Sequence, residues 1–343
     1  MKKIKWGIIG CGGIADRRTL PGMMLAENAV PVAVMDANLA VAERVKEKYG
    51  ASYAFDNYEA VLALDEIDAV YIASPVFAHK EQALAAVKAK KHILLEKPLG
   101  LTLADSLEII EACEAASVKL GVGLMMRYHA YHQEIKKIIA EGKIGDIVSM
   151  RAQFTCWYPK MENCWRQEKS LSGGGALMDM GIHCIDLLQY ISGLNAVECT
   201  GYAHNQTFGY NVDDSAAVVM KMENGALAFV DSNFNIPDAA AKCPLEFYGT
   251  KGSIIATGTL GQDEAGTVEV LTAGDDTGYD AQQQRSLVKA TNLSVTFGNM
   301  YTKEIEAFSN AIINDTEPPV SGKNTILVQR IIDAIYQNGG GKL

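Results

Sequence analysis

Three groups of residues in this 343-residue chain are spaced for chemistry. Glu96-Lys97-Pro98 closes an apolar run, His92–Leu95. A lysine there can donate hydrogen bonds to a substrate oxygen and to a cofactor group at once. It would stabilise negative charge on an oxygen that is losing its proton. Glu96 stands beside Lys97 to position it, and Pro98 biases the Lys97 backbone toward extended geometry. Further on, Asp179 and His183 stand at i and i+4 and share one face of a helix. A carboxylate so placed orients an imidazole as a general base near neutral pH. Asp186, one turn beyond His183, is an alternative partner for that imidazole. Each group also has a plainer reading: a surface Glu-Lys pair before a proline, and a helix whose polar side chains cap and solubilise it.

The third group is a glycine turn, Gly10-Cys11-Gly12-Gly13-Ile14-Ala15, after the strand-like run Ile4–Ile9. In a strand-turn-helix context this is a dinucleotide signal. Gly10 allows the tight turn, Gly12 lets the backbone approach a pyrophosphate, and Ala15 keeps helix and strand close. The helix start, with Gly13 and Ile14, offers free N–H groups to the phosphates. Asp36 ends the next strand, where an acid binds the adenosine ribose hydroxyls. A 2′-phosphate would meet its negative charge, so NAD is expected over NADP. Ser74, Pro75 and His79 follow another strand end and are expected to line the nicotinamide half, with Glu96 and Lys97. Arg127 and Trp165 are assigned to the cofactor as well. Tyr128, Tyr158 and Arg166, from segments dense in aromatic and basic groups, are assigned to a sugar-like substrate with Lys97, Asp179 and His183. Domain-interface packing is the plainer reading of the tryptophans. Asp and His at helical spacing can be metal ligands, but no third ligand shows a clear pattern, so no metal is expected. His92, His132 and His204 are read as structural.

The elements that must hold these groups follow from periodicity. Strand-like runs at Ile4–Ile9, Ala29–Met35, Ala69–Ala73, His92–Leu95 and Leu120–Leu124 alternate with helical patterns at Asn38–Tyr49, Phe77–Lys90 and Leu103–Ala116. That alternation implies a parallel, doubly wound α/β sheet. After about residue 125 the grammar changes. Helices are expected at His132–Glu141, Ala176–Ser192, Tyr301–Asn314 and Thr325–Asn338. Strands are expected at Ile147–Tyr158, Ala196–Ala203, Asp214–Met222, Ala226–Phe234, Leu245–Tyr248, Ser253–Ala256 and Thr267–Leu271. Glu223-Asn224-Gly225 between two of these is a hairpin signal. The expected division is a Rossmann domain over 1–124 and an α+β domain with a largely antiparallel sheet over 125–343.

Bulk properties bound the function. The formal net charge of −10 argues against nucleic acid or an anionic membrane surface as partner. No apolar run of about 18 residues is present, so no membrane span is expected. The N-terminus runs straight into a strand pattern and lacks a secretory signature. Seven cysteines without a CxxC pair fit reduced thiols in a cytoplasm.

Taken together, the glycine turn, Ser74-Pro75-x-x-x-His79, Leu95-Glu96-Lys97-Pro98, Gly142-Lys143-Ile144-Gly145 and Gly174-Gly175-x-x-x-Asp179-x-Gly181-x-His183-x-x-Asp186 resemble the glucose–fructose oxidoreductase and inositol 2-dehydrogenase (Gfo/Idh/MocA) family. The resemblance covers nearly the whole chain. It implies an N-terminal Rossmann domain, an open sheet whose free face makes a homodimer or homotetramer contact, and a final helix packing back on the first domain. It implies Lys97, Asp179 and His183 as the catalytic group, and sugars, cyclitols or related polyols as substrates. The expected activity is NAD-dependent hydride transfer at a secondary hydroxyl or ketone. Two alternatives stand beside it: an enzyme that oxidises a sugar transiently and retains the cofactor, and a non-catalytic dinucleotide sensor.

Overall fold

The computed structural model describes residues 2–273, 279, 281 and 289–343. It divides into two units. One comprises Met1–Met125, Glu162–Gly174 and Asn299–Gln329, the other Met126–Met161, Gly175–Gly298 and Arg330–Leu343. The strands are β1 (Ile4–Ile9), β2 (Ala29–Met35), β3 (Tyr53–Phe55), β4 (Ala69–Ile72), β5 (His92–Glu96), β6 (Leu120–Gly123), β7 (Ile147–Thr155), β8 (Ala196–His204), β9 (Ser215–Met222), β10 (Leu227–Asn233), β11 (Pro244–Gly249), β12 (Gly252–Thr257), β13 (Thr267–Thr272), β14 (Lys289–Asn292) and β15 (Gly340–Lys342). The α-helices are α1 (Leu20–Leu25), α2 (Leu39–Tyr49), α3 (Tyr58–Leu62), α4 (Val76–Lys88), α5 (Leu103–Ala115), α6 (Ala130–Ala140), α7 (Lys169–Ser172), α8 (Ile182–Ser192), α9 (Met300–Ile313) and α10 (Gly322–Asn338).

In the first unit, six strands form one sheet in the order β3-β2-β1-β4-β5-β6, and every pairing is parallel. All of β4, and all of β1 but Lys5, is buried. Such continuous apolar strands are what a sheet covered on both faces requires. The strand order reverses between β1 and β4, which puts the ligand crevice at the carboxyl ends of those strands. Helix starts are fixed locally: Asn38, Asn57 and Thr102 accept the N–H groups of Ala40, Ala60 and Asp105. The short β3 and α3 were not expected from the sequence.

The late helices complete this unit. A Cβ on Gly22 would lie 2.7 Å from Cβ of Tyr301, so α1 and α9 touch backbone to backbone. The Trp6 and Phe308 rings lie 5.6 Å apart. Val122 N–H donates to the Val320 carbonyl at 2.9 Å, which covers the edge strand β6.

The second unit is built on a nine-stranded sheet, β14-β13-β12-β11-β7-β10-β9-β8-β15. Among the described residues only β7 and β10 pair in parallel; the other pairings are antiparallel. The Glu223-Asn224-Gly225 turn joins β9 to β10, with Gly225 at φ +89°. α8 covers one face, buried at Ile182–Leu188 and Ile191. The other face carries Arg151, Tyr202, Val219, Phe229 and Asp231 around a shallow cavity of about 460 Å³. The strands β14 and β15 had no signal in the sequence.

Two helix starts differ from a plain α-helix. Ala15–Thr19 carries i→i+5 hydrogen bonds before α1, and the Leu20 N–H reaches the Ala15 carbonyl. Pro21 lacks an N–H and its ring would clash with the carbonyl one turn back; a widened turn accommodates it. Leu177–Gly181 is widened in the same way before α8, where one continuous helix was expected.

Candidate active site

The dinucleotide turn lies in the first unit. Gly10 has φ +95°, and a Cβ there would come 2.6 Å from the Ser74 nitrogen at the end of β4. No other residue fits. Gly12 is exposed, and a Cβ on it would meet nothing within 4 Å. Protein packing therefore does not demand glycine at position 12, whereas close approach of a ligand would. Over Gly13 lies the Arg17 guanidinium, whose Nη2 would be 2.4 Å from a Cβ. Arg17, a cation at the phosphate end of the turn, escaped the sequence reading because the motif stops at Ala15.

Asp36 ties the turn to the end of β2. Its Oδ2 accepts the Cys11 N–H at 3.1 Å and its Oδ1 accepts the Asn38 N–H at 3.0 Å. A carboxylate has about four lone-pair sites, so both oxygens keep capacity for ribose hydroxyls. The Cys11 thiol points inward to the Met35 carbonyl at 3.3 Å. Burial, then the Asp36 charge, pushes it up to about 12; it is no nucleophile. These features fit a dinucleotide.

At the other end of the crevice, Glu96 is held on three sides. Tyr71 Oη donates to its Oε1 at 2.6 Å, and the Lys97 N–H donates to its Oε2 at 3.3 Å. A Cβ on Gly123 would lie 3.0 Å from the Glu96 carboxyl carbon, so the carboxylate rests on β6. Thr19 Oγ1 donates to Tyr71 Oη at 2.9 Å. Burial raises the Glu96 pKa; the Tyr71 hydrogen bond and then the charges of Lys97 and Arg166 pull it back. Lys97 follows, half-buried, and its peptide bond to Pro98 is cis. Ser74 Oγ donates to Gln82 Oε1 at 2.5 Å, and Pro75 precedes the first residue of α4.

His79 is not where the sequence put it. It is 1% exposed, with Nδ1 and Nε2 each 2.9 Å from a backbone carbonyl, of Pro98 and of Ser74. The ring braces two loops from behind instead of facing a ligand. Trp165 and Arg166 belong to this unit as well, in the segment Glu162–Gly174. The Arg166 guanidinium stacks 4.4 Å from the Trp165 ring centroid, and its charge reaches Glu96.

In the second unit, one residue anchors the segment that carries Asp179 and His183. Asp213 accepts the Gly175 N–H on Oδ1 and the Leu177 N–H on Oδ2, both at 2.8 Å. Its own carbonyl accepts the Ala176 N–H at 2.9 Å. A Cβ on Gly175 would lie 1.8 Å from that carbonyl oxygen, which explains the glycine at position 175. Asp179 stands half-buried on the widened turn. His183 begins α8, 4% exposed, with the Phe154 ring edge-on at 6.1 Å.

Two residues that the sequence assigned separately, Asp186 as an alternative partner of His183 and Arg127 to a cofactor, are bonded to each other here. Arg127 Nε donates to Asp186 Oδ2 at 2.9 Å, Nη2 donates to Oδ1 at 2.5 Å, and both residues are buried. A buried guanidinium needs such a bidentate partner. Tyr128 is half-buried in the turn after β6. Tyr158 packs against Phe234, the rings tilted at 45° with centroids 5.0 Å apart, in a cluster with Ala176 and Met180. Among the described residues, no group of three His, Cys, Asp or Glu side chains is placed to hold a metal, and no helix is long and apolar enough to cross a membrane.

Comparison with known proteins gives these parts a common origin. Residues 4–124 match the oxidoreductase family with an NAD-binding Rossmann fold, and residues 132–255 match the GFO/IDH/MocA C-terminal domain. A 1,5-anhydro-D-fructose reductase of Ensifer adhaerens is 30% identical, over 94% of this chain and 92% of that protein. A D-xylose 1-dehydrogenase (NADP(+)) of Haloferax volcanii is 28% identical, over 97% and 96%. The crystal structure of the aldose-aldose oxidoreductase from Caulobacter crescentus, complexed with glycerol, has a TM-score of 0.88 at 23% identity and covers all of both chains. At that identity the likeness speaks for the fold. The glycine turn, the Glu-Lys-Pro strand end and the matched domains together make this chain a member of the Gfo/Idh/MocA family of oxidoreductases, with an NAD-binding Rossmann fold.

Proposed function

We propose that this oxidoreductase transfers hydride between NAD and a secondary hydroxyl or ketone of a sugar, cyclitol or sugar derivative. The observation that carries the reading is the three-sided hold on Glu96, which fixes a half-buried carboxylate beside Lys97 at the carboxyl end of β5. Sugar chemistry is supported by the relatives named for anhydrofructose and xylose. The bound nicotinamide would accept or return the hydride. Backbone N–H groups of Gly12, Gly13 and Ile14, with Arg17, would hold the pyrophosphate, and Asp36 the ribose hydroxyls. Ser74, Pro75, Glu96, Lys97 and Trp165 would line the remainder. Lys97 Nζ donates to the substrate oxygen and stabilises it as the proton leaves. His183 takes that proton on its ring, and Asp179 steadies the imidazolium. Tyr128, Tyr158 and Arg166 would contact the sugar.

The free face of the large sheet is the proposed homodimer or homotetramer contact, because Phe229 and Val219 line it and Tyr202 is 81% exposed there. A cytoplasmic location is proposed from the cysteine pattern and from the buried Cys11, Cys113 and Cys184.

The test is a panel of sugars, cyclitols and glycosides with NAD⁺ and NADP⁺, followed both by NADH and by product mass. Net NADH with a ketone product is expected. Altered sugar without net NADH would replace the reading with transient oxidation, and no turnover of any polyol would remove it.

A further inference from the structure

One buried acid plays no part in the site described above. Glu304, on α9, is 2% exposed, and among the described residues neither carboxylate oxygen has a hydrogen-bond partner. An ionised carboxylate left dry and unpaired is among the costliest arrangements in a protein interior. A carboxyl group so placed takes up a proton instead.

Its surroundings name the other half of the arrangement. Glu96 is the charged group that acts on Glu304, adding to burial in holding its pKa far above the carboxylate range. Glu304 also acts on Tyr71, the residue that donates to Glu96. The two acids are served unequally. Glu96 has two donors and the nearby positive charges of Lys97 and Arg166. Glu304 has neither. Paired carboxyls whose surroundings differ in this way divide into one that keeps a proton and one that ionises.

We propose that Glu304 is the proton-carrying, buried half of an acid pair, and that the half-buried Glu96 keeps the pair's single negative charge and presents it to Lys97. Glu304 is thus a positioning residue acting through Glu96. A second negative charge at position 304 would drive a proton onto Glu96 and deprive Lys97 of its counter-ion. The pairing stands on the structure alone; its bearing on turnover rests on the hydride-transfer reading.

The experiment compares the full chain with Glu304→Gln, an isostere of the neutral acid. Infrared spectra near pH 7 are expected to show a protonated-carboxyl stretch in the wild type that the variant lacks. Absence of that band in the wild type, or its persistence in the variant, overturns the pairing. Because the folded pKa is raised, wild-type stability is expected to fall relative to Glu304→Gln as pH rises from about 5 to 8; parallel melting curves overturn it too. If the variant does not fold, carboxyl-carbon NMR of the unaltered protein serves. One glutamate should stay protonated through that range, and a full set of ionised signals overturns the proposal. With an active sugar in hand, Glu304→Gln should shift the alkaline limb of kcat and leave NAD affinity in place. An unmoved limb overturns the link to Lys97, whereas failure of every sugar counts against the hydride reading and leaves the pairing intact.

Discussion

Tyr336 Oη donates to Asp213 Oδ1 at 2.7 Å. The carboxylate that fixes the start of the Asp179–His183 segment is therefore itself fixed from α10. Removing the hydroxyl leaves Asp213 with its backbone donors but without this lateral restraint. Tyr336→Phe should cost about 1.5–3 kcal/mol, the range for a hydrogen bond to a charged group. Urea unfolding measures the loss, and kcat should fall with it because the segment loosens. A variant as stable as wild type would show that Asp213 is held by its backbone contacts alone.

Lys97→Ala should lower kcat by about 10² to 10³, the usual effect of losing a positioned charge stabiliser. His183→Ala should cost on the order of 10² to 10⁴. Cofactor affinity, measured separately by fluorescence titration, should change little, since the turn and Asp36 survive. The double variant should fall well short of the product of the two losses, because both groups serve one proton transfer. Near-wild-type turnover in both single variants would place the chemistry elsewhere.

Asp36 should set the cofactor. Its carboxylate would repel a 2′-phosphate, so NAD should bind more tightly than NADP. Asp36→Ser with Ala37→Arg should move the preference toward NADP. The Cys11 and Asn38 N–H groups lose their acceptor in that variant, so some loss of NAD affinity is expected even before selectivity is compared. Calorimetric titration with both cofactors decides it; a wild type that prefers NADP would reverse the assignment.

Acid should destabilise the fold through His132. This ring is fully buried, with Nδ1 2.7 Å from the Met126 carbonyl and Nε2 3.1 Å from Thr259 Oγ1. Burial, then neighbouring His129, lowers its pKa to about 3 from an ordinary 6.5. The unfolded chain takes up a proton below about 6.5 and the folded chain does not. Stability present above that pH is therefore lost as pH falls toward 3, by about 1.4 kcal/mol per pH unit from this group. His132→Gln should flatten the acid side of a stability–pH curve. Curves of equal slope would show that other groups dominate acid unfolding.

Much of this architecture was legible because the signals were local. Asn38 before an apolar helical pattern marked the start of α2, and the glycine turn after β1 marked the crevice. What was missed depended on partners distant in sequence or on very short elements. Tyr53–Phe55 is too short for a period of two to show. Nothing near Asp213 in sequence announces that it accepts the Gly175 and Leu177 N–H groups at the start of the Leu177–Gly181 turn. Arg127 and Asp186 each resembled a functional group in isolation, and only their bidentate contact shows that they neutralise each other. His79 had the right position for a ligand contact, but its ring turned inward to two carbonyls.

The widened turn at Leu177–Gly181 makes chain length there equivalent to an angle. A π-type turn is an α-helical turn with one residue added. Deleting a single residue between Asp179 and His183 would let α8 continue upstream as an ordinary helix, its buried face intact. The cost would fall on orientation: Asp179 would swing by about 100° around the helix axis, one residue's share of an α-helical turn. The one-residue surplus is thus a phase setting between the two side chains, and it can be altered without changing the identity of either.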